Sequence, residues 1–130
     1  MIVVDASALV AVLLDEPEKL QILTILATEE AVLSPIGYWE AHTRIHGLRG
    51  GDGVADLDAL LTNFGIQVAP ATAATAKVAA QAQIDFGKRT PARLNLGDCF
   101  AYALAKEGDA PLLYKGDDFG QTDLTPALPA

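Results

Sequence analysis

Short apolar runs alternate along this chain with stretches of helical length, and that alternation restricts the fold more than any other feature. Ile2-Val3-Val4 reads as a buried strand closing on Asp5, and Ser7 is placed to cap a helix through the apolar run Ala8–Leu14. Asp15-Glu16-Pro17 ends that helix, and Pro17 can start a second one from Glu18 to about Thr28. Ala31–Leu33 is a second strand. Ser34-Pro35 then opens a helix expected to run through Glu40 toward His46. Gly47–Gly53, with four glycines, predicts a flexible loop before the amphipathic helix Val54–Phe64. Ile66–Ala69 and Pro111–Tyr114 are the third and fourth strands. Thr72–Phe86 and Leu96–Glu107 are helices separated by the basic loop Lys88–Asn95. The tail from Gly116 to Ala130 reads as irregular, with one short edge strand near Leu124. Such a pattern predicts an α/β fold, an α/β/α sandwich around a central, mainly parallel sheet of four to five short strands. A length of 130 residues is that of a single domain, expected over 1–130.

Four carboxylates stand where solvated acids are not expected. Asp5 closes the first strand. Glu40 lies in Tyr38-Trp39-Glu40-Ala41, Asp98 opens the run that continues Cys99-Phe100-Ala101-Tyr102, and Asp117 follows the last strand through Lys115-Gly116. In parallel sheets covered on both faces, ligands sit beyond the carboxyl ends of the strands, and crossover helices begin on the same edge. Asp5, Asp98 and Asp117 therefore converge on one rim, and Glu40 reaches it if its side chain points inward. Two carboxylates 4 Å apart repel by about 4 kcal/mol at an effective dielectric near 20, so a quartet needs protons or a cation. Hard oxygen donors select Mg²⁺ or Mn²⁺, ions that activate water and steady a phosphodiester under in-line attack.

Each acid also has a plainer role open to it. Asp98 can complete a capping box with Asn95, Glu40 can pair with Arg44 at i,i+4, Asp117-Asp118 can be a turn beside Gly116, and Asp5 can be a solvated strand end. Their joint placement, rather than any one of them, points to a site. His42 and His46 have zinc-helix spacing but lack the glutamate that should follow the first histidine. Cys99 reads as a small buried hydrophobe, and Tyr38 and Trp39 as core.

The formal net charge of −8 argues against non-specific nucleic-acid binding, although the four acids make half of it. The basic residues are uneven: Lys88, Arg89 and Arg93 cluster in one loop, and Arg44 and Arg49 flank another. A single cysteine excludes an internal disulfide and suits a reducing cytoplasm. With strand-like sequence from Ile2, no signal peptide is expected, and the longest apolar run is too short to span a bilayer.

Three stretches resemble PIN-domain ribonucleases. Val3-Val4-Asp5-Ala6-Ser7-Ala8-Leu9 is similar to their opening motif. Asn95-Leu96-Gly97-Asp98-Cys99-Phe100-Ala101 is similar to their third acidic motif, and Leu112-Leu113-Tyr114-Lys115-Gly116-Asp117-Asp118-Phe119 to their fourth. The resemblance is close to the VapC toxins of bacterial toxin–antitoxin pairs and covers essentially the whole chain. It implies a PIN-like sandwich and a Mg²⁺- or Mn²⁺-dependent endoribonuclease, held inactive by a small VapB-like antitoxin with a basic segment. By motif position it carries over Asp5, Glu40, Asp98 and Asp117 as catalytic acids, with Asp5, Asp98 and Asp117 on the metal. Ser7, Asn95 and Asp118 become helpers, and a homodimer is the family's usual state. Lys88, Arg89 and Arg93 are candidate RNA contacts. Two other readings stay open. One is a phosphohydrolase acting through an aspartyl-phosphate on Asp5, with Lys115 as charge partner. The other is a non-catalytic acidic module that receives a basic segment.

Overall fold

Strand β1 (Ile2–Val4) lies at the centre of the fold because it pairs on both sides. In the computed structural model, which describes residues 1–128, the sheet order is β3-β2-β1-β4 and every pairing is parallel. The other strands are β2 (Ala31–Leu33), β3 (Gln67–Val68) and β4 (Leu112–Leu113). Between them run α1 (Ala6–Leu13), α2 (Lys19–Thr28), α3 (Pro35–Asn63), α4 (Ala73–Phe86) and α5 (Leu96–Glu107). A 3₁₀ turn, Asp118–Gln121, follows β4. In place of an edge strand near Leu124, the tail makes a single parallel bridge between Leu112 and Pro126.

Successive strand residues point to opposite faces, and the core divides accordingly. Ile2, Val4, Leu33 and Leu113 pack with Leu9, Ile22, Ile45 and Leu57 of α1–α3. Val3 and Leu112 pack with Ala79 and Ala82 of α4 and with Cys99 and Ala103 of α5. Small residues on α4 and α5 let those two helices approach the sheet and each other. No helix among the described residues is long and apolar enough to cross a membrane.

Asp5, rather than Ser7, caps α1: its carboxylate accepts the Ser7 N–H at 3.0 Å. The cap is two residues earlier than expected because the strand runs straight into the helix. The Ser7 hydroxyl is thereby free to accept the Lys115 N–H at 2.9 Å, and the Asp5 N–H donates to the Leu113 carbonyl at 2.9 Å. These two bonds tie the ends of β1 and β4 together.

The larger departure is at Gly47–Gly53, which is helical rather than a loop. Only Gly50 leaves helical geometry, at φ 64 and ψ −153, and α3 kinks there without ending. Packing accounts for the continuity. Gly53 is buried against Ile45, and Arg49 pairs with Asp56 and donates to the Leu13 carbonyl. A side chain at Gly53 would come within 2.6 Å of Arg49 Cβ and 2.7 Å of Ile45 Cγ2, whereas one at Gly51 meets nothing. Gly53→Ala should therefore destabilise the chain by about 1–3 kcal/mol through overpacking. Gly51→Ala should stabilise it by about 0.5–1 kcal/mol through helix propensity. Equilibrium denaturation of the two variants checks both signs.

Candidate active site

The sheet order makes β1 the point where the chain reverses its direction of winding. β2 and β3 lie to one side of it and β4 to the other. The crevice beyond the carboxyl ends of β1 and β4 is then where a ligand is expected. A cavity of about 560 Å³ opens there. Asp5 and Ser7 line it from the β1–α1 junction, and Lys115 and Asp118 from beyond β4. Trp39, Glu40 and Arg44 face it from α3, and Asn95 and Asp98 from the start of α5.

Asp5 is 5% exposed and is the one buried carboxylate among the described residues. Burial raises its pKa, opposed by hydrogen bonds from Ser7 and Ala6, and the charge of Asp118 raises it further. Asp98 is pushed up to about 6, first by burial and then by the charges of Asp5 and Asp118, while the Asn95 N–H and Lys88 pull it down. Glu40 is pushed up to about 7, by burial and then by Asp5 and Asp98. The four groups thus share one electrostatic environment.

Asp98 both caps and faces the cavity. Its Oδ2 accepts the Asn95 N–H at 3.0 Å, and Asn95 Oδ1 accepts the Asp98 N–H at 2.9 Å. The capping box holds one carboxylate oxygen and leaves the other free. Glu40 makes no ion pair with Arg44 among the described residues, although both face the cavity.

Of the residues expected at the site, Asp5, Glu40, Asp98, Ser7, Asn95 and Asp118 come together. Asp117 does not line the cavity. It precedes the 3₁₀ turn, exposed and without a side-chain cap bond, and the turn carries the following residue, Asp118, toward the acids. Lys88, Arg89 and Arg93 are exposed on the loop before α5, where Lys88 is close enough to Asp98 to lower its pKa. Trp39, expected in the core, is 65% exposed. Together with Pro35, Ile36, Leu96 and Gly97 it lines an apolar groove of about 480 Å³, which shares Trp39, Glu40 and Asn95 with the acidic cavity. Tyr38 is half-buried and donates to Asp58 at 2.8 Å. Cys99 is buried, as expected.

No three His, Cys, Asp or Glu side chains among the described residues stand close enough, as placed, to enclose a metal ion. The donor chemistry nonetheless fits a hard divalent cation. Every acid facing the cavity offers carboxylate oxygen, and Asp5, Glu40 and Asp98 are held toward their neutral forms by burial and by one another's charge. A cation among them would relieve both penalties. Lys115, by contrast, is engaged by Glu16 and lies 3.3 Å from Glu18, so its charge is already neutralised. That weighs against Lys115 as the partner of an aspartyl-phosphate.

Comparison with known proteins places the fold and the sequence among related chains. A PIN-domain family model matches residues 2–124. The Mycobacterium tuberculosis ribonuclease VapC30 is 40% identical over 130 residues, covering 98% of this chain and 99% of the relative. Ribonuclease VapC42 of the same organism is 53% identical over 73 residues, which are 55% of this chain and 56% of that relative's length. Among solved structures, the fold is similar to that of Mycobacterium tuberculosis VapC20, described as a toxin cleaving the sarcin–ricin loop. The TM-score is 0.80 at 15% identity, with 99% of this chain and 100% of that chain covered. A toxin–antitoxin complex from Klebsiella pneumoniae is similar at TM-score 0.74 and 14% identity, covering 95% and 93%.

The raised carboxylates make stability depend on pH in a fixed direction. An acid whose pKa is higher in the folded chain holds its proton more tightly there, so its contribution is full below its unfolded pKa and is lost as pH rises through the folded one. For Glu40 that window runs from 4.5 to about 7. Without divalent cation, Glu40→Gln should become more stable relative to the unsubstituted chain by about 2 kcal/mol between pH 4 and pH 8, after allowance for partial exposure. Added Mg²⁺ should stabilise the unsubstituted chain more at pH 8 than at pH 5. Denaturation midpoints across that range check both.

Proposed function

This chain belongs to the PIN-domain family, among the VapC ribonucleases, and on that premise we propose that it is the toxin of a toxin–antitoxin pair and hydrolyses RNA phosphodiester bonds at its acidic cavity. The observation that carries the reading is the convergence of Asp5, Glu40, Asp98 and Asp118 from four separate parts of the chain on one crevice. A divalent cation, Mg²⁺ or Mn²⁺, would be held by Asp5 and Asp98 with Glu40 and Asp118 completing the set. When bound it supplies a Lewis acid for the phosphate and an activated water. Asp117, assigned to the metal by motif position, is better read as the residue that sets up the turn presenting Asp118.

The chain's own groups do the remaining work. Ser7 accepts the Lys115 N–H while Asp5 caps α1, so the β1 and β4 loops are fixed with respect to each other. This preorganises the Asp5 carboxylate. Glu40, held above the ordinary carboxylate range by burial and by the charges of Asp5 and Asp98, is suited to taking the proton of an attacking water. Arg44 is exposed at the cavity with no ion pair among the described residues, and is available to a phosphate of the bound strand. Lys88, Arg89 and Arg93 would extend that contact along the RNA backbone on the Asp98 side. Asn95 can contact the strand beside the scissile bond.

The partner follows from the two adjoining cavities. A small antitoxin would lay an apolar helix in the groove of Ile36, Trp39 and Leu96. From there it would extend an Arg or Lys among the acids, competing with the cation for the same oxygens. We further propose that the whole chain acts as one domain and works as a homodimer in the cytoplasm.

Asp98→Asn preserves size and the acceptor for the Asn95 N–H. It should leave the fold intact and reduce cleavage of single-stranded RNA by about 100-fold or more, as expected for loss of a metal-site carboxylate. Chelation with EDTA should do the same to the unsubstituted chain. Full activity of the variant would contradict the assignment. Trp39→Ala should weaken binding of the co-expressed antitoxin by about 2 kcal/mol, roughly thirtyfold, read by calorimetry.

A further inference from the structure

Glu40 reaches the acids only because the residue opposite it has no side chain. Gly97 is buried in the first turn of α5, one residue before Asp98. A Cβ built on it would lie 2.0 Å from Glu40 Oε1, 2.2 Å from Glu40 Cδ and 2.3 Å from Glu40 Oε2. Those distances are far inside van der Waals contact, and the whole Glu40 carboxyl group fills the space a methyl would take. The three nearest atoms all belong to the tip of one flexible side chain, so an added methyl is relieved by swinging Glu40 away rather than by moving the backbone.

We propose that Gly97 is a positioning residue for the reaction: the missing side chain creates the seat that holds the Glu40 carboxylate beside Asp5 and Asp98. The inference rests on the acidic cavity being the catalytic site. Its physical sign is unusual, because glycine is the poorer choice for the helix. Ala in a helix is better than Gly by about 1 kcal/mol, so filling this seat should leave the fold as stable or more stable while damaging the site.

The test is a double-mutant cycle of Gly97→Ala and Glu40→Ala, with Gly51→Ala as control for a glycine replaced in open helical surroundings. Gly97→Ala is expected to melt cooperatively, at or above the temperature of the unsubstituted chain. It should lower RNA cleavage about ten- to hundredfold, the loss typical of a group misplaced by about an ångström. It should also shrink the rise in melting temperature produced by Mn²⁺. In the Glu40→Ala background, where the carboxylate is gone, Gly97→Ala should lower neither cleavage nor the Mn²⁺ response further. Gly51→Ala should keep both.

Full activity of Gly97→Ala while Glu40→Ala is inactive would overturn the positioning role and leave the site reading standing. Full activity of Glu40→Ala would remove Glu40 from the site and the role of Gly97 with it. Loss of cooperative melting in Gly97→Ala, or an equal further loss in the Glu40→Ala background, would assign Gly97 to the fold instead.

Discussion

The cost of holding several carboxylates out of water in one crevice is the constraint around which this structure is arranged. Desolvation is the first cause of the raised pKa at Asp5, Glu40 and Asp98, and mutual charge adds to it. A chain of 130 residues can carry such a penalty only where its scaffold is stiffest. Here that place is the central strand β1, hydrogen-bonded on both sides and packed on both faces. Asp5 is the first residue after it. Its carboxylate does double duty, capping α1 while facing the cavity, so removing it would disturb the fold as well as the chemistry.

The other acids are held by different devices. Asp98 is fixed by a reciprocal capping box, and Glu40 by the seat at Gly97. Asp118 rests on a short 3₁₀ turn and is the most exposed of the four. Burial therefore falls from Asp5, through Glu40 and Asp98, to Asp118. The apolar groove adjoins the cavity and shares Trp39, Glu40 and Asn95 with it.

Much of this was legible in the residues. The alternation of strand and helix predicts the parallel sheet, and the boundaries Leu96 and Glu107 of α5 follow from Asn95 and Gly108 at its ends. Asp5 and Asp98 were legible because an acid at the edge of an apolar run is anomalous in any fold. Three features were not, each for a definite reason. Local propensity reads Gly47–Gly53 as a loop, yet the tertiary fit of Gly53 against Ile45 and Arg49 keeps it helical. Adjacent acids such as Asp117 and Asp118 are separated only by the geometry of the turn that follows β4. Trp39 looks like core by composition, and only the neighbouring helix shows that it borders a groove. Gly97 stands in the first turn of a helix, although glycine is a poor helix former. That placement is the sequence sign of the close approach of Glu40 to Gly97.

Carboxyl carbon NMR titration of Glu40 and Asp98, with and without Mg²⁺, addresses the shared acidic site most directly. Without cation, Glu40 should titrate near 7 and Asp98 near 6. With Mg²⁺ at saturation, both should fall by about one unit or more as the positive charge favours their ionised forms. Titration of both groups at ordinary carboxylate values, unmoved by Mg²⁺, would contradict a coupled cation site.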